Sequence, residues 1–167
     1  MKKVIVVTGT PGTGKTTVAM RLAKKAEWKY VDVNTVISKH KLSEGYDMKK
    51  KCRVVDVKKL CRVLLKMAKD SEESVVIDSH LSHYLPSEKI DVCLVTKCNL
   101  KLLKQRLKRR KYGEAKVREN LDCEIFDVCY NEAIDAGHNV VAVATDTKVD
   151  YEKLIRKIKR LKRKEKK

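Results

Sequence analysis

Only two of the 167 residues are proline, six are glycine, and 5% are aromatic. No stretch rich in Pro, Gly or Ser divides the chain and no internal repeat is visible. Two domains joined by a linker are thereby excluded, and a single domain with one core is expected over residues 1–167. Few aromatic rings leave few platforms for stacking bases, which weighs against a dedicated single-strand nucleic-acid binder. Apolar runs stop at four or five residues, as in Val4 to Val7, far short of a bilayer span, so no membrane association is expected. The sequence enters a strand pattern at once, without a signal or transit pattern, and a cytoplasmic location (nuclear in a eukaryote) is the expectation. The six cysteines, at 52, 61, 93, 98, 123 and 129, contain no C-x-x-C pair, so a zinc site in a loop is not expected. Cys61, Cys93, Cys123 and Cys129 fall in apolar patterns and read as reduced, mostly buried thiols.

Positive charge is what the chain has in excess: 40 Lys and Arg against 22 Asp and Glu, for a net +18. Residues 153–167, KLIRKIKRLKRKEKK, hold ten basic residues and one acid; KLLKQRLKRRK at 101–111 holds seven basic residues and none acidic. Such fields favour polyanions, whether nucleotides, RNA or an acidic protein face, and are equally what solvated helix faces of a lysine-rich protein look like.

Short β-branched runs alternate with helical patterns. VIVV (4–7), YVDV (30–33), VVID (75–78), DVCLV (91–95) and NVVAVA (139–144) read as strands. Residues 15–26, 56–69, 99–110, 114–136 and 150–164 read as helices. Helix 114–136 aligns Val117, Leu121, Ile125, Val128 and Cys129 on one stripe, and the last helix aligns Tyr151, Leu154, Ile155, Ile158 and Leu161. Its terminal KRKEKK is expected to fray. The alternation predicts an α/β fold with a parallel sheet covered by helices on both faces. Residues 34–55 and 109–116 break the rhythm and read as small movable insertions.

Gly9-Thr10-Pro11-Gly12-Thr13-Gly14-Lys15-Thr16 fits G-x-x-x-x-G-K-[ST] between an apolar strand and a helix. Gly12 and Gly14 allow backbone N–H groups to turn inward around phosphate oxygens, and the helix directs its positive end at the same anion. Lys15 supplies a cation that can follow a transferring phosphoryl group. Thr16 offers a hydroxyl to Mg²⁺, and Thr17 one to a neighbouring phosphate oxygen. ATP and Mg²⁺ are therefore the expected cofactors.

SVVIDSH (74–80) ends an apolar strand in Asp78, which suits a carboxylate orienting Mg²⁺ or its water. His80, two residues on, lies where open α/β sheets build their sites and suits positioning a nucleophilic water or a substrate. A metal pair of His80 and His83 is rejected because no further ligands cluster there. Arg106 and Arg110, four apart at a helix end, are the candidate source of transition-state charge, Arg110 first. Arg109, Lys108 and Lys111 read as solvated neighbours.

Taken together, GTPGTGKTT (9–17), EGYD (44–47), IDSH (77–80), RLKRRKYGEAK (106–116) and ENLDCEIFDVCYNEA (119–133) resemble the adenylate kinase isoenzyme six family and its archaeal relatives, over nearly the whole chain to about residue 145. The resemblance implies an adenylate-kinase-like P-loop nucleoside-triphosphate hydrolase fold, three-layered, with five parallel strands. It implies a monophosphate-binding insertion at about 32–55, a short lid at about 109–119 and a basic C-terminal helix at about 150–167. It also implies transfer of phosphate from ATP to AMP, hydrolysis of ATP, and a part in small ribosomal subunit maturation and rRNA processing. The partner would be a small-subunit ribosomal protein, with rRNA a further one, and the protein a monomer or a heterodimer. By the same resemblance Gly12, Gly14, Lys15, Thr16, Thr17 and Arg110 bind ATP, while Asp78 and His80 serve hydrolysis. The chain departs from the family at three places. Ser38 and Lys39 stand where an arginine would hold the AMP phosphate. Lys111 follows the lid arginine where the family tends to place glycine, and His83 stands where it tends to carry an acid.

Three functions remain open at this stage: an adenylate kinase, a ribosome-assembly ATPase, and an RNA-binding protein regulated by ATP. A basic ribosomal partner would meet an acidic helix around Glu119, Asp122, Glu124 and Asp127.

Overall fold

Strands whose every side chain is apolar must be covered on both faces, and the architecture follows from that. The computed structural model describes residues 2–48, 52–80 and 84–161. Val4–Gly9 (β1), Lys29–Asp32 (β2), Val75–Asp78 (β5), Val92–Lys97 (β6) and Val140–Ala144 (β7) form a five-stranded sheet in the order β2-β5-β1-β6-β7. All its pairings are parallel, with Val7 opposite Asp78 on one side of β1 and Leu94 on the other. The central strands β1, β5 and β6 are buried almost throughout, whereas edge strand β7 alternates between covered and exposed positions.

Two apolar layers sandwich the sheet. Lys15–Ala26 (α1) and Tyr151–Arg160 (α7) cover one face, packing Val18, Leu22, Leu154 and Ile158 on Ile5, Val7 and Leu94. Val57–Asp70 (α3) and Val128–Asp135 (α6) cover the other through Leu60, Leu64 and Ala133 on Val4, Val6 and Val95. Leu100–Arg109 (α4) and Glu114–Ile125 (α5) form a third cluster around Leu103, Leu107 and Val117 beside the strand ends. The expected three-layer fold is the one observed.

Differences are local. The insertion at 32–55 has regular structure of its own: a short helix, Val33–Lys39 (α2), and an antiparallel hairpin of Ser43–Asp47 (β3) and Cys52–Val55 (β4). Val33, Val36, Ile37 and Leu42 are buried, which anchors this insertion to the main core. The helix expected over 114–136 breaks at Phe126–Asp127, where Asp127 has φ 53° and its carboxylate pairs with Lys97. The amide of Asn131 donates to the Phe126 carbonyl at 3.1 Å, so the broken end is capped. Ile125, the last residue of α5, lies off the buried stripe of Val117, Asn120 and Glu124 and is exposed. Cys93 and Cys98 are buried, Cys61, Cys123 and Cys129 half-buried, and all five are free thiols. The terminal KRKEKK and His83 lie outside the described residues.

Glycine is scarce, and helices end in left-handed turns nonetheless. Glu27, Lys41 and Lys111 adopt φ 55°, 50° and 56° just past α1, α2 and α4. After α4, Lys111 N–H donates to the Lys108 carbonyl at 2.9 Å and Tyr112 N–H to that of Leu107 at 3.4 Å, the paired bonds of a Schellman motif. Lys111, which stands where the resemblance leads one to expect glycine, thus occupies a backbone conformation that favours glycine.

Candidate active site

β1 delivers the chain at Gly9 to the carboxyl edge of the sheet, and α1 begins again at Lys15. The turn between them is held by its own side chains. Thr13 N–H and Oγ1 both donate to the Thr10 carbonyl, at 3.2 and 2.7 Å, and Thr13 Oγ1 lies 2.7 Å from Thr96 Oγ1 on β6. Gly12 has φ 92°, and a Cβ there would come within 2.9 Å of Leu103 on α4, so the loop has no room for a side chain at that point. Gly14, also at φ 92°, has space around it and is required for its backbone conformation alone.

Lys15 folds back along this loop, donating to the Gly9 carbonyl at 2.8 Å and the Thr10 carbonyl at 3.2 Å. Burial pushes its amine below the ordinary lysine range, and nearby Arg110 pushes the same way, while Cys129, Asp78 and Glu124 oppose them. Three sequence-distant charged candidates thereby meet. Asp78 is buried at the end of β5 and accepts a 3.0 Å bond from the Tyr30 hydroxyl on the neighbouring strand. Burial, then the Asp78 charge, raises the Tyr30 phenol well above its usual value, so it stays a donor to that carboxylate. Thr16 and Thr17 are exposed in the first turn of α1, and His80 is exposed just beyond Asp78.

A cavity of about 470 Å³ opens beside the loop, lined by Gly12, Gly14, Thr17, Arg106, Arg109 and Arg110 and, from the segment after β7, by Thr145, Thr147, Lys148, Val149 and Tyr151. Arg106 and Arg110 have different situations in it. Arg106 is half-buried and tied down: Nη1 donates to Thr145 Oγ1 at 3.1 Å and, more weakly, to the Gly12 carbonyl at 3.4 Å, and Nη2 donates to the Thr145 carbonyl at 3.1 Å. Arg110 is exposed at the end of α4. Arg109, read from sequence as a solvated neighbour, also lines the cavity. A wider cleft of about 800 Å³ continues past Arg21, Lys148 and Tyr151 between α1 and the start of α7.

Some contributors escaped the sequence. Thr145 donates to the Thr13 carbonyl at 2.7 Å and joins the last strand to the loop; nothing in its neighbourhood announces that. Glu124, expected on an acidic helix that a partner would meet, is instead turned inward. It is buried, accepting from Thr10 Oγ1 at 2.7 Å and from Cys98 N–H at 3.0 Å. The signal was its position seven residues after Val117, on the inward face of α5. Asp127 is likewise engaged with Lys97, and Asp122 with Arg118 at 3.1 Å.

The family model described as an AAA domain matches residues 5–127. A Dictyostelium discoideum protein named adenylate kinase isoenzyme 6 homolog is 34% identical over 83% of this chain and 78% of its own. The Saccharomyces cerevisiae protein named adenylate kinase isoenzyme 6 homolog FAP7 is 34% identical over 87% and 75%. Among solved structures, shikimate kinase from Acinetobacter baumannii superposes with TM-score 0.61 at 18% identity over 95% of this chain and 91% of that one. Deoxyadenosine kinase from M. mycoides with bound dATP gives 0.56 at 17%, over 94% and 99%. These two likenesses concern the fold.

Proposed function

The chain belongs to the adenylate kinase isoenzyme 6 family of P-loop nucleotide kinases, and from that premise we propose that it transfers the γ-phosphoryl group of ATP to AMP. The observation that carries this reading is the loop itself: Lys15 lies along it, Arg110 lines the cavity beside Gly12 and Gly14, and both Asp78 and Arg110 act electrostatically on the Lys15 amine. Backbone amides around Gly12 and Gly14 cradle the phosphates, with Thr17 adding a hydroxyl. Lys15 exchanges its two carbonyl partners for phosphate oxygens and stays with the transferring group. Arg110 adds positive charge where it develops when the lid, residues 109–119, closes; Arg106, already bonded, braces the wall. The oxygen donors Thr16 and Asp78 are hard ligands that suit Mg²⁺, which when bound would neutralise charge between the β- and γ-phosphates. Among the described residues no group of three or more His, Cys, Asp or Glu makes a metal cage, so the nucleotide itself would supply the remaining ligands. The insertion at 32–55 would take AMP, with Lys39, exposed at the end of α2, as a point charge for its phosphate.

His80, exposed immediately beyond Asp78, favours a second mode in which water is the acceptor. In that mode hydrolysis would switch a binding surface, in keeping with the family's link to small ribosomal subunit maturation and a ribosomal-protein partner. With Glu124 buried and both Asp122 and Asp127 paired with cations, an acidic face for such a partner is much reduced.

Incubation with MgATP, with and without AMP, tests both. Two ADP per ATP consumed, only with AMP present, is the result expected of the kinase; ADP with free phosphate in the absence of AMP is that of the hydrolase. Lys15→Ala and Arg110→Ala should each lower either turnover at least about a hundredfold. Full turnover in both variants would refute the site.

A further inference from the structure

A helix-surface acid should face solvent, and Glu124 does not. It sits 8% exposed near the end of α5, with one carboxylate oxygen on Thr10 of the phosphate loop and the other on the backbone of Cys98 between β6 and α4. We propose that Glu124 is a positioning residue of the phosphate loop, which it ties, through the Thr10 hydroxyl, to the helix that follows the lid. The proposal rests on the phosphoryl-transfer reading only for its kinetic consequence.

The geometry gives the tie a purpose. α4 and α5 pack together around Leu103, Leu107 and Val117, and the lid turn at 110–113 joins them. Besides the weak Arg106 bond to the Gly12 carbonyl, this pair of helices touches the phosphate loop at two buried points. Leu103 and Leu107 press on Gly12, leaving no space for a Cβ, and Glu124 holds Thr10 two residues earlier. One contact is apolar and non-directional; the other is a buried, charge-assisted bond that fixes an angle as well as a distance. Thr10 is also the residue whose carbonyl receives Thr13 and Lys15, so the Glu124 bond sets the group on which the rest of the loop is hung. A carboxylate suits the position without rearrangement because one donor reaches each of its oxygens. An amide offers one acceptor oxygen, and its NH₂ would oppose the second donor unless the Thr10 hydroxyl reversed its polarity.

The experiment is steady-state kinetics with MgATP and AMP on the full chain, together with thermal unfolding and hydrogen exchange. Thr10→Val, nearly isosteric, should lower kcat about tenfold while KM for ATP stays within about twofold, because a misdirected loop loses alignment more than ground-state binding. Thr10→Ser should restore kcat to within about twofold. Glu124→Gln should match Thr10→Val, and the double variant should be no worse than either single one. Amide exchange at residues 9–15 should accelerate in Thr10→Val and Glu124→Gln, with the melting temperature of Thr10→Val little changed. The proposal is overturned if Thr10→Val has unaltered kcat and loop exchange, if Thr10→Ser fails to rescue, or if the losses add. Failure of the kinase reading would look different: the wild-type protein would produce no AMP-dependent ADP. Loop exchange in the variants would then decide the positioning role alone, unaltered exchange refuting it.

Discussion

Replacing Lys111 by glycine should make the protein more stable, although it removes a side chain and adds none. Lys111 sits at φ 56° immediately past α4, where the Cβ of an L-residue crowds the following carbonyl. That conformation costs roughly 1–2 kcal/mol for a residue with a Cβ, and close to nothing for glycine. Against this, glycine gains freedom in the unfolded chain, worth roughly 0.5–1 kcal/mol in the other direction. The side chain is exposed, so its charge contributes little. The balance is a stabilisation of about 0.5–1 kcal/mol, which for a chain of this size raises the melting temperature by about 1–4 °C. Urea unfolding is the more direct assay: the midpoint should rise with the slope m unchanged, the mark of an altered stability with the same surface exposed on unfolding. Lys111→Val supplies the opposite sign, since a β-branched residue is worse still in this conformation, and should fall about 1 kcal/mol below wild type. A Lys111→Gly midpoint at or below that of the wild type, or a Lys111→Val midpoint no lower, would refute the reasoning.

Asp91 and Lys3 offer a larger effect at the opposite edge of the sheet. Both are buried, 3.5 Å apart; Asp91 also accepts from Val4 N–H at 2.8 Å, and Lys3 donates to the Leu161 carbonyl at 2.6 Å. Asp91→Ala leaves a buried ammonium without its carboxylate and should cost about 3–5 kcal/mol in chemical denaturation; a loss below 1 kcal/mol would contradict that. The alkaline limb of kcat/KM for MgATP, which reports the free enzyme, should fall below the ordinary lysine range of about 10.4. The sign follows from burial, reinforced by Arg110: with its pKa lowered, Lys15 loses its cation at a lower pH than a free lysine would. Arg110→Gln should move the limb to higher pH while reducing the rate, and an unmoved limb would speak against Lys15 as the titrating group.

Elements were most legible where one residue type does one job. The strand–turn–helix from Val4 to Ala26 was legible, the helix to the residue and the strand two residues short, because an apolar run, spaced glycines and Gly14-Lys15-Thr16 admit few alternatives. The strand at 75–78 was equally plain, being apolar up to the acid that ends it. The insertion was not, because α2 has only two turns and β3–β4 is an isolated hairpin, too short for a periodicity to stand out. Helix 114–136 was misread as continuous because Val117, Leu121, Ile125 and Val128 keep a helical spacing across the break. What interrupts it is the pairing of Asp127 with Lys97, thirty residues away.

The sequence by itself determined the glycine-spaced loop that suits a phosphate, its place between a strand and a helix, and that a parallel sheet carries it. Those properties are local: they depend on backbone freedom at glycines, on the reach of a lysine, and on runs of apolar residues that must be buried. Only the tertiary structure decided which charges face that loop. It brought Asp78 and Arg110 to Lys15, tied Arg106 into the wall through Thr145, and turned Glu124 inward onto Thr10. Charge and hydrogen bonding act through space, and which side chains become neighbours there is set by how the helices pack on the sheet.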